Sequence, residues 1–261
     1  MWGAMQILIR HRRVLAMAAL NEIRGRYAGT ALGLAWAVLY PVLFLGVYTA
    51  VFTLIFNVRL GGPSTVDSVL VIFSGLIPLF GFSESLSSGI GSVLANRHLV
   101  KNTLFPIELI PVRSVLVGSL TMVLCLVVLH LVLWWRGSVH PAQALTPVIL
   151  LFQLLFTIGL IWPLSALNVF VRDLGQLVPI LLLLLMIASP IAYTVDMVPP
   201  ALLPLMYVNP LYYPIELYRG CLLRGTVPWE VLAGFGALAV AVFGLGFHAF
   251  MKWKRMFVEH V

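Results

Sequence analysis

Long stretches of this chain carry no formal charge. Residues 27–58, 114–135, 137–171, 174–195 and 231–251 contain no Asp, Glu, Lys or Arg, and residues 68–96 contain one, Glu84. An α-helix needs roughly 20 mostly apolar residues to cross about 30 Å of hydrocarbon, so each of these stretches predicts a membrane-spanning helix. The expected class is an all-α integral membrane protein. Its single transmembrane domain covers residues 1–261, with six spans near 32–57, 68–95, 108–135, 146–171, 174–194 and 230–251.

The cations orient the spans, because Lys and Arg in short flanking segments are retained on the cytoplasmic side. With the amino terminus inside, Arg10, Arg12, Arg13, Arg24, Arg26, Arg97, Lys101, Arg172, Lys252, Lys254 and Arg255 are cytoplasmic. Arg59, Arg136, Arg219 and Arg224 are outside, and Arg113 lies within a span. Both termini are therefore expected in the cytoplasm. The net charge of +7 reads as an insertion signal and an attraction to anionic lipid, and gives no ground for a nucleic-acid partner.

The segment before the first span, MQILIRHRRVLAMAALNEIRGR, is basic and precedes an apolar run far longer than a signal-peptide core. It is expected to stay in the chain, either as an interfacial helix over 5–26 or as a basic topogenic tail. Cys125 lies in a span and Cys221 in an outer segment, so no disulfide is expected between them. The six histidines show no metal-binding spacing, and no metal site is expected.

In the first span the aromatics fall at Trp36, Tyr40, Phe44, Tyr48, Phe52 and Phe56, always four apart. A step of four advances about 40° around a helix, so the rings form one slowly winding ribbon. Such a ribbon can stack on the CH faces of sugars, or pack against neighbouring helices and lipid.

Three further features bear on function. Between spans two and three, NRHLVKNTLFP places Arg97, His98 and Lys101 on the cytoplasmic side, as a docking helix or as a basic turn. Between spans five and six, an apolar segment over 195–228 is broken by prolines into pieces too short to span. Its tyrosines, with Tyr193 just ahead of it, suit the headgroup level, and the segment could close an outer mouth. Glu84 and Arg113 sit at matched depths, about 20 and 18 Å from the cytoplasmic turn, which predicts a buried ion pair. A pathway-lining Glu84 is the alternative.

The chain has no GxxxxGK[ST] phosphate loop and no Gly-Lys dipeptide, so it is not expected to hydrolyse ATP by that route. Ser74 and His248 come nearest to an intramembrane hydrolase.

RYAGTALGLAWAVLYP from Arg26, GLIPLF from Gly75, LVKNTLFPIELIPV from Leu99, LNVFVRDLGQLVPILL from Leu167, SPIAYTVDMVPP from Ser189 and NPLYYPIELYRGCLLRG from Asn209 occur in this order. Together they resemble the membrane permease of type-2 ABC exporters of polysaccharide, which move O-antigen, capsule or teichoic acid. The resemblance implies an amino-terminal interface helix, a coupling helix at 96–103 and outer gate helices between spans five and six. It also implies a homodimer in the bacterial inner membrane, bound to two copies of a phosphate-loop ATPase. ATP and Mg are then used by that partner, and this chain binds no cofactor. Trp36, Tyr40, Phe44, Tyr48 and Phe52 become the expected sugar channel. Asn96, Arg97, His98, Lys101 and Asn102 become the ATPase contact, and Tyr193, Tyr207, Tyr212, Tyr213 and Tyr218 the outer gate. Arg172 and Asp173 match the pair at the inner end of span four, with a structural or interface role. Glu84 and Arg113 depart from the pattern, which more often has neutral polar residues there. The expected function is ATP-driven extrusion of a lipid-linked glycan, most of all O-antigen. The alternatives are export of a small hydrophobic molecule and, from another class, intramembrane hydrolysis.

Overall fold

Helix dominates because a backbone amide or carbonyl left unpaired in hydrocarbon costs several kcal/mol, and a helix satisfies these groups within its own segment. The computed structural model describes residues 2–57, 60–62, 64–97 and 106–257, and among these every regular element is helical.

The amino-terminal segment forms two helices, α1 (Trp2–Arg10) and α2 (Arg12–Tyr27), that turn at His11. They bury Ala4, Leu15 and Ala19 and present Met5, Ile9, Met17 and Leu20 outward, as a helix lying on a membrane surface does. The first crossing joins a short 3-10 turn (Gly33–Ala35), α3 (Trp36–Ala50) and a π turn (Val51–Ile55). Ser64 caps α4 (Thr65–Ile90) by accepting from the Asp67 amide, and α5 (Ser92–Ala95) follows. The third crossing is α6 (Leu109–Gly118) with α7 (Leu120–Trp135). The fourth is α8 (Thr146–Phe170), and the last long helix is α12 (Trp229–Phe257).

Among the described residues five helical stretches are long and apolar enough to cross a membrane: Gly33–Ile55, Thr65–Ile90, Leu109–Trp135, Pro141–Phe170 and Trp229–Lys254. The stretch expected at 174–194 is shorter. Its helix, α9 (Leu174–Ala188), has 15 residues, about 22 Å at 1.5 Å per residue. The helix stops because Ser189 precedes Pro190, and a residue before proline is driven into extended geometry; Ser189 has φ −83° and ψ 141°. The segment beyond is divided into α10 (Leu203–Val208), α11 (Tyr212–Tyr218) and a π turn (Arg219–Arg224).

The core forms around α4, whose Ile72, Leu76 and Ile77 are fully buried and which packs against α6, α7 and α8. Small residues set these distances, as in other membrane helix pairs. A Cβ on Gly118 would lie 2.6 Å from the Ser85 amide nitrogen, and one on Gly246 would lie 1.9 Å from the Gly159 carbonyl oxygen. Helices α8 and α12 run parallel: Phe156 meets Phe235 at 5.9 Å between ring centroids, and further along Trp162 meets Phe247 at 5.2 Å. Gln153 of α8 donates to the Pro78 carbonyl inside α4 at 2.9 Å.

Candidate functional site

The spacing of four in the first crossing produces a ladder of rings in mutual contact. Centroid separations are 6.4 Å for Tyr40–Phe44, 5.8 Å for Phe44–Tyr48, 4.7 Å for Tyr48–Phe52 and 5.5 Å for Phe52–Phe56. Phe80 of α4 backs the ladder edge-on, 6.5 Å from Tyr40 and 5.6 Å from Phe44. Phe44, Tyr48 and Phe52 are half-buried, whereas Trp36, Tyr40 and Phe56 are 40%, 60% and 62% exposed. The rings therefore pack on one side and stay open on the other. Beside Tyr40 a cleft of about 150 Å³ is lined by Ser83, Glu84, Ser87 and Thr121.

The expected Glu84–Arg113 pair is not formed. Glu84 pairs with Arg26 at 2.5 Å, and Arg113 Nε lies 2.6 Å from Glu22 Oε2. The second contact is off the N–H direction, so it is ionic rather than a directed hydrogen bond. The cause is α2, which packs along α6 and offers Glu22 and Arg26 on one face, four residues apart. Each then meets an opposite charge on a span. Glu84 is not a buried acid either, since its side chain is 42% exposed. A third pair has no signal in the sequence: Lys254 of α12 meets Glu108 at 2.6 Å, with the Glu108 side chain only 6% exposed. Trp162 Nε1 donates to the Glu108 carbonyl at 3.0 Å.

Of the expected ATPase contact, Asn96 and Arg97 are described, while His98, Lys101 and Asn102 lie outside the described residues. Arg97 is exposed. Asn96 Oδ1 accepts from Arg113 Nη2 at 3.0 Å, and its Nδ2 donates to the Ser92 carbonyl at 2.8 Å. Arg172 and Asp173 are exposed at the turn between α8 and α9.

Three of the five outer tyrosines come together. Tyr207 and Tyr213 each lie 5.3 Å from Tyr212, and the Tyr213 hydroxyl donates to the Tyr207 carbonyl at 2.9 Å. Tyr193 stands apart and donates to the Ala188 carbonyl at 2.8 Å. Tyr218 is fully buried in the core, so it presents no surface to a passing substrate. Next to it Arg219, expected as an outer cation, is instead 5% exposed. Its guanidinium donates to the carbonyls of Tyr193 (3.2 Å), Ile191 (2.7 Å) and Val71 (3.4 Å). Burial pushes Arg219 down to about 10, with Glu216 opposing the shift, and pushes Tyr212 up to about 12. At neutral pH Arg219 is charged and Tyr212 keeps its proton.

The hydrolase arrangement does not assemble. Ser74 is fully buried and donates to the Val71 carbonyl at 2.8 Å, beside Gly75, which faces the Arg219 guanidinium. His248 is exposed on α12, one residue past Phe247, which meets Trp162 toward the Glu108–Lys254 pair.

Comparison with known proteins places this geometry in context. The ABC-2 type transporter family matches residues 15–223. The chain is 28% identical over 249 residues to an O-antigen export system permease protein RfbA of Klebsiella pneumoniae, covering 94% of each chain. It is also 28% identical over 193 residues to an RfbA of Myxococcus xanthus, covering 73% of this chain and 72% of the relative. A family match across most of the chain, over membrane helices in the expected order, shows that this protein belongs to the ABC-2 type transporter family.

Proposed function

We propose that this chain is the permease subunit of an ATP-driven exporter that moves a lipid-linked polysaccharide, O-antigen first among the candidates, across the bacterial inner membrane. The observation that carries this reading is the ladder from Tyr40 to Phe56, unbroken along the first crossing and open on one side. Ring faces bind the CH faces of successive sugars with little demand on identity. A small hydrophobic cargo would be served by a vestibule and has no use for a repeating track. The relatives, O-antigen export permeases by name, point the same way.

Six crossings, with both termini on one side, are favoured by the parallel run of α8 and α12, and the distribution of Lys and Arg favours the cytoplasm as that side. The chain leaves α8 at one membrane face and begins α12 at the other, so residues 171–228 make one net crossing, for which α9 is the apolar helix. The homodimer is favoured by exposure. In α9 only Val178 is buried, while Leu177, Ile180, Leu184 and Ile187 face outward. With the centre of the bundle filled by Ile72, Leu76 and Ile77, a path wide enough for hydrated sugar runs along a bundle surface between two copies. Two copies of a separate phosphate-loop ATPase, using ATP and Mg, supply the energy. Their closure pushes on the segment at 96–103, and Asn96 passes the motion through Arg113 to α2. The outer gate segment over 195–228 then parts to release the chain.

Co-expression with the phosphate-loop ATPase of a neighbouring reading frame tests this. The two are expected to co-purify from detergent, with ATP turnover in the complex and none in the isolated chain. Robust turnover by the isolated chain would overturn the reading.

A further inference from the structure

A cavity of about 620 Å³ opens at the outer end of the bundle. It lies between the start of α4, the end of α7 and the segment that follows α9. Its charged lining, among the described residues, is Asp67, Arg136, Asp196, Glu216, Arg219 and Arg224, three cations against three anions. Arg136 donates to Asp67 Oδ1 at 3.2 Å from both terminal nitrogens, and Arg224 pairs with Glu216. Arg219 also lines the cavity. It is held by three carbonyls, and its buried Nε has no partner. A guanidinium has five N–H donors, so this one is not saturated.

The composition selects the ligand. An inorganic anion or a phosphate would have to settle among three carboxylates. A lipid tail would strip water from six charged groups, at a cost its own burial does not offset. Uncharged polyols meet neither penalty, because each hydroxyl both donates and accepts, matching carboxylates and guanidinium groups in alternation. Tyr212 supplies a ring for a sugar CH face. The volume falls within the range of about 300–1,000 Å³ for small-molecule sites, room for a short saccharide rather than a single ion. The position fits as well, since Gly61 of the cavity lining follows Phe56, the last ring of the ladder, by five residues.

We infer that this cavity is an exit subsite that binds two or three uncharged sugar residues of the exported chain as they leave the ring ladder. The inference rests on the exporter reading and adds a second, polar site to the aromatic one.

The test uses the permease–ATPase complex in lipid nanodiscs, with maltotriose, α-1,2-mannotriose and inorganic pyrophosphate as probes, read by saturation-transfer NMR. At least one trisaccharide is expected to bind saturably. Thr194→Trp, which fills the cavity, and Asp196→Ala, at an exposed position that should not disturb folding, should each weaken binding about tenfold, the scale of one lost polar contact. Pyrophosphate should not compete. The site is overturned if neither trisaccharide binds, if binding ignores both variants, or if pyrophosphate displaces the sugar. Surface glycan is measured with the same proteins in cells. Export by the wild-type chain without saccharide binding removes this site alone, whereas absence of export removes the exporter reading beneath it.

Discussion

Arg113 and Glu22 meet with Nε and Oε2 2.6 Å apart, and the same guanidinium donates to Asn96 Oδ1 at 3.0 Å. One side chain on a span thereby ties α2 to the turn that follows α5. The Arg113 side chain is only 14% exposed, so its charge is largely withdrawn from water and depends on these partners.

Glu22→Gln and Arg113→Gln should each lower the detergent melting temperature, and the double change should cost less than the two single changes together. A coupling energy of about 1 kcal/mol is expected for groups in contact. The corresponding cycle for Glu84 and Arg113 should give coupling near zero, because Glu84 is paired with Arg26. The reverse ranking would restore the pairing read from matched depths.

That correction shows what the sequence could and could not carry. Charge-free length located the five long apolar helices, because the cost of burying charge in hydrocarbon is local to each segment. The ring ladder was legible for the same reason: a spacing of four is a property of one helix. Ion pairs depend on which helices become neighbours. Matched depth relates only spans two and three, whereas the spacing of four between Glu22 and Arg26 puts both charges on one face of α2. Arg219 gave no such signal. Its nest of carbonyls from Val71, Ile191 and Tyr193 exists only once the outer segment folds back onto α4. The charge-free run continues past Ser189, while the helix α9 ends there ahead of Pro190.

Lys254→Met should destabilise the protein more than Glu108→Gln. The first leaves a carboxylate almost wholly buried without its cation, at about 3–5 kcal/mol, whereas the second leaves a partly exposed Lys254. Combining the two should recover much of the loss. Melting temperatures of the three variants in one detergent measure the order.

The parallel contact between α8 and α12 should tolerate no side chain. Gly246→Val places atoms where the Gly159 carbonyl sits, and overpacking of this kind costs about 1–3 kcal/mol or more. Gly244→Ala, with no neighbouring atom within 4 Å, should be nearly neutral. Size-exclusion profiles after mild heating separate the two outcomes.

Reversing charge at Arg97 and Lys101 together should leave insertion intact, since the other cytoplasmic cations still set the topology, while uncoupling ATP turnover from substrate. Substrate-stimulated turnover of the purified complex is the readout, with surface glycan in cells as its companion. Unchanged values for both would make this segment an ordinary basic turn.

The ring ladder is the centre of the account. Tyr40 is mostly open and Tyr48 half-buried, and leucine keeps apolar volume at both positions while removing the stacking face. The most direct measurement is export of long-chain glycan by Tyr40→Leu with Tyr48→Leu, in parallel with the melting temperature of the purified variant. At roughly 1 kcal/mol per lost ring contact, export should fall about fivefold or more per ring while the melting temperature stays close to wild type. Normal export at normal stability would contradict the sugar track, and an export defect matched by an equal loss of stability would reduce the rings to packing.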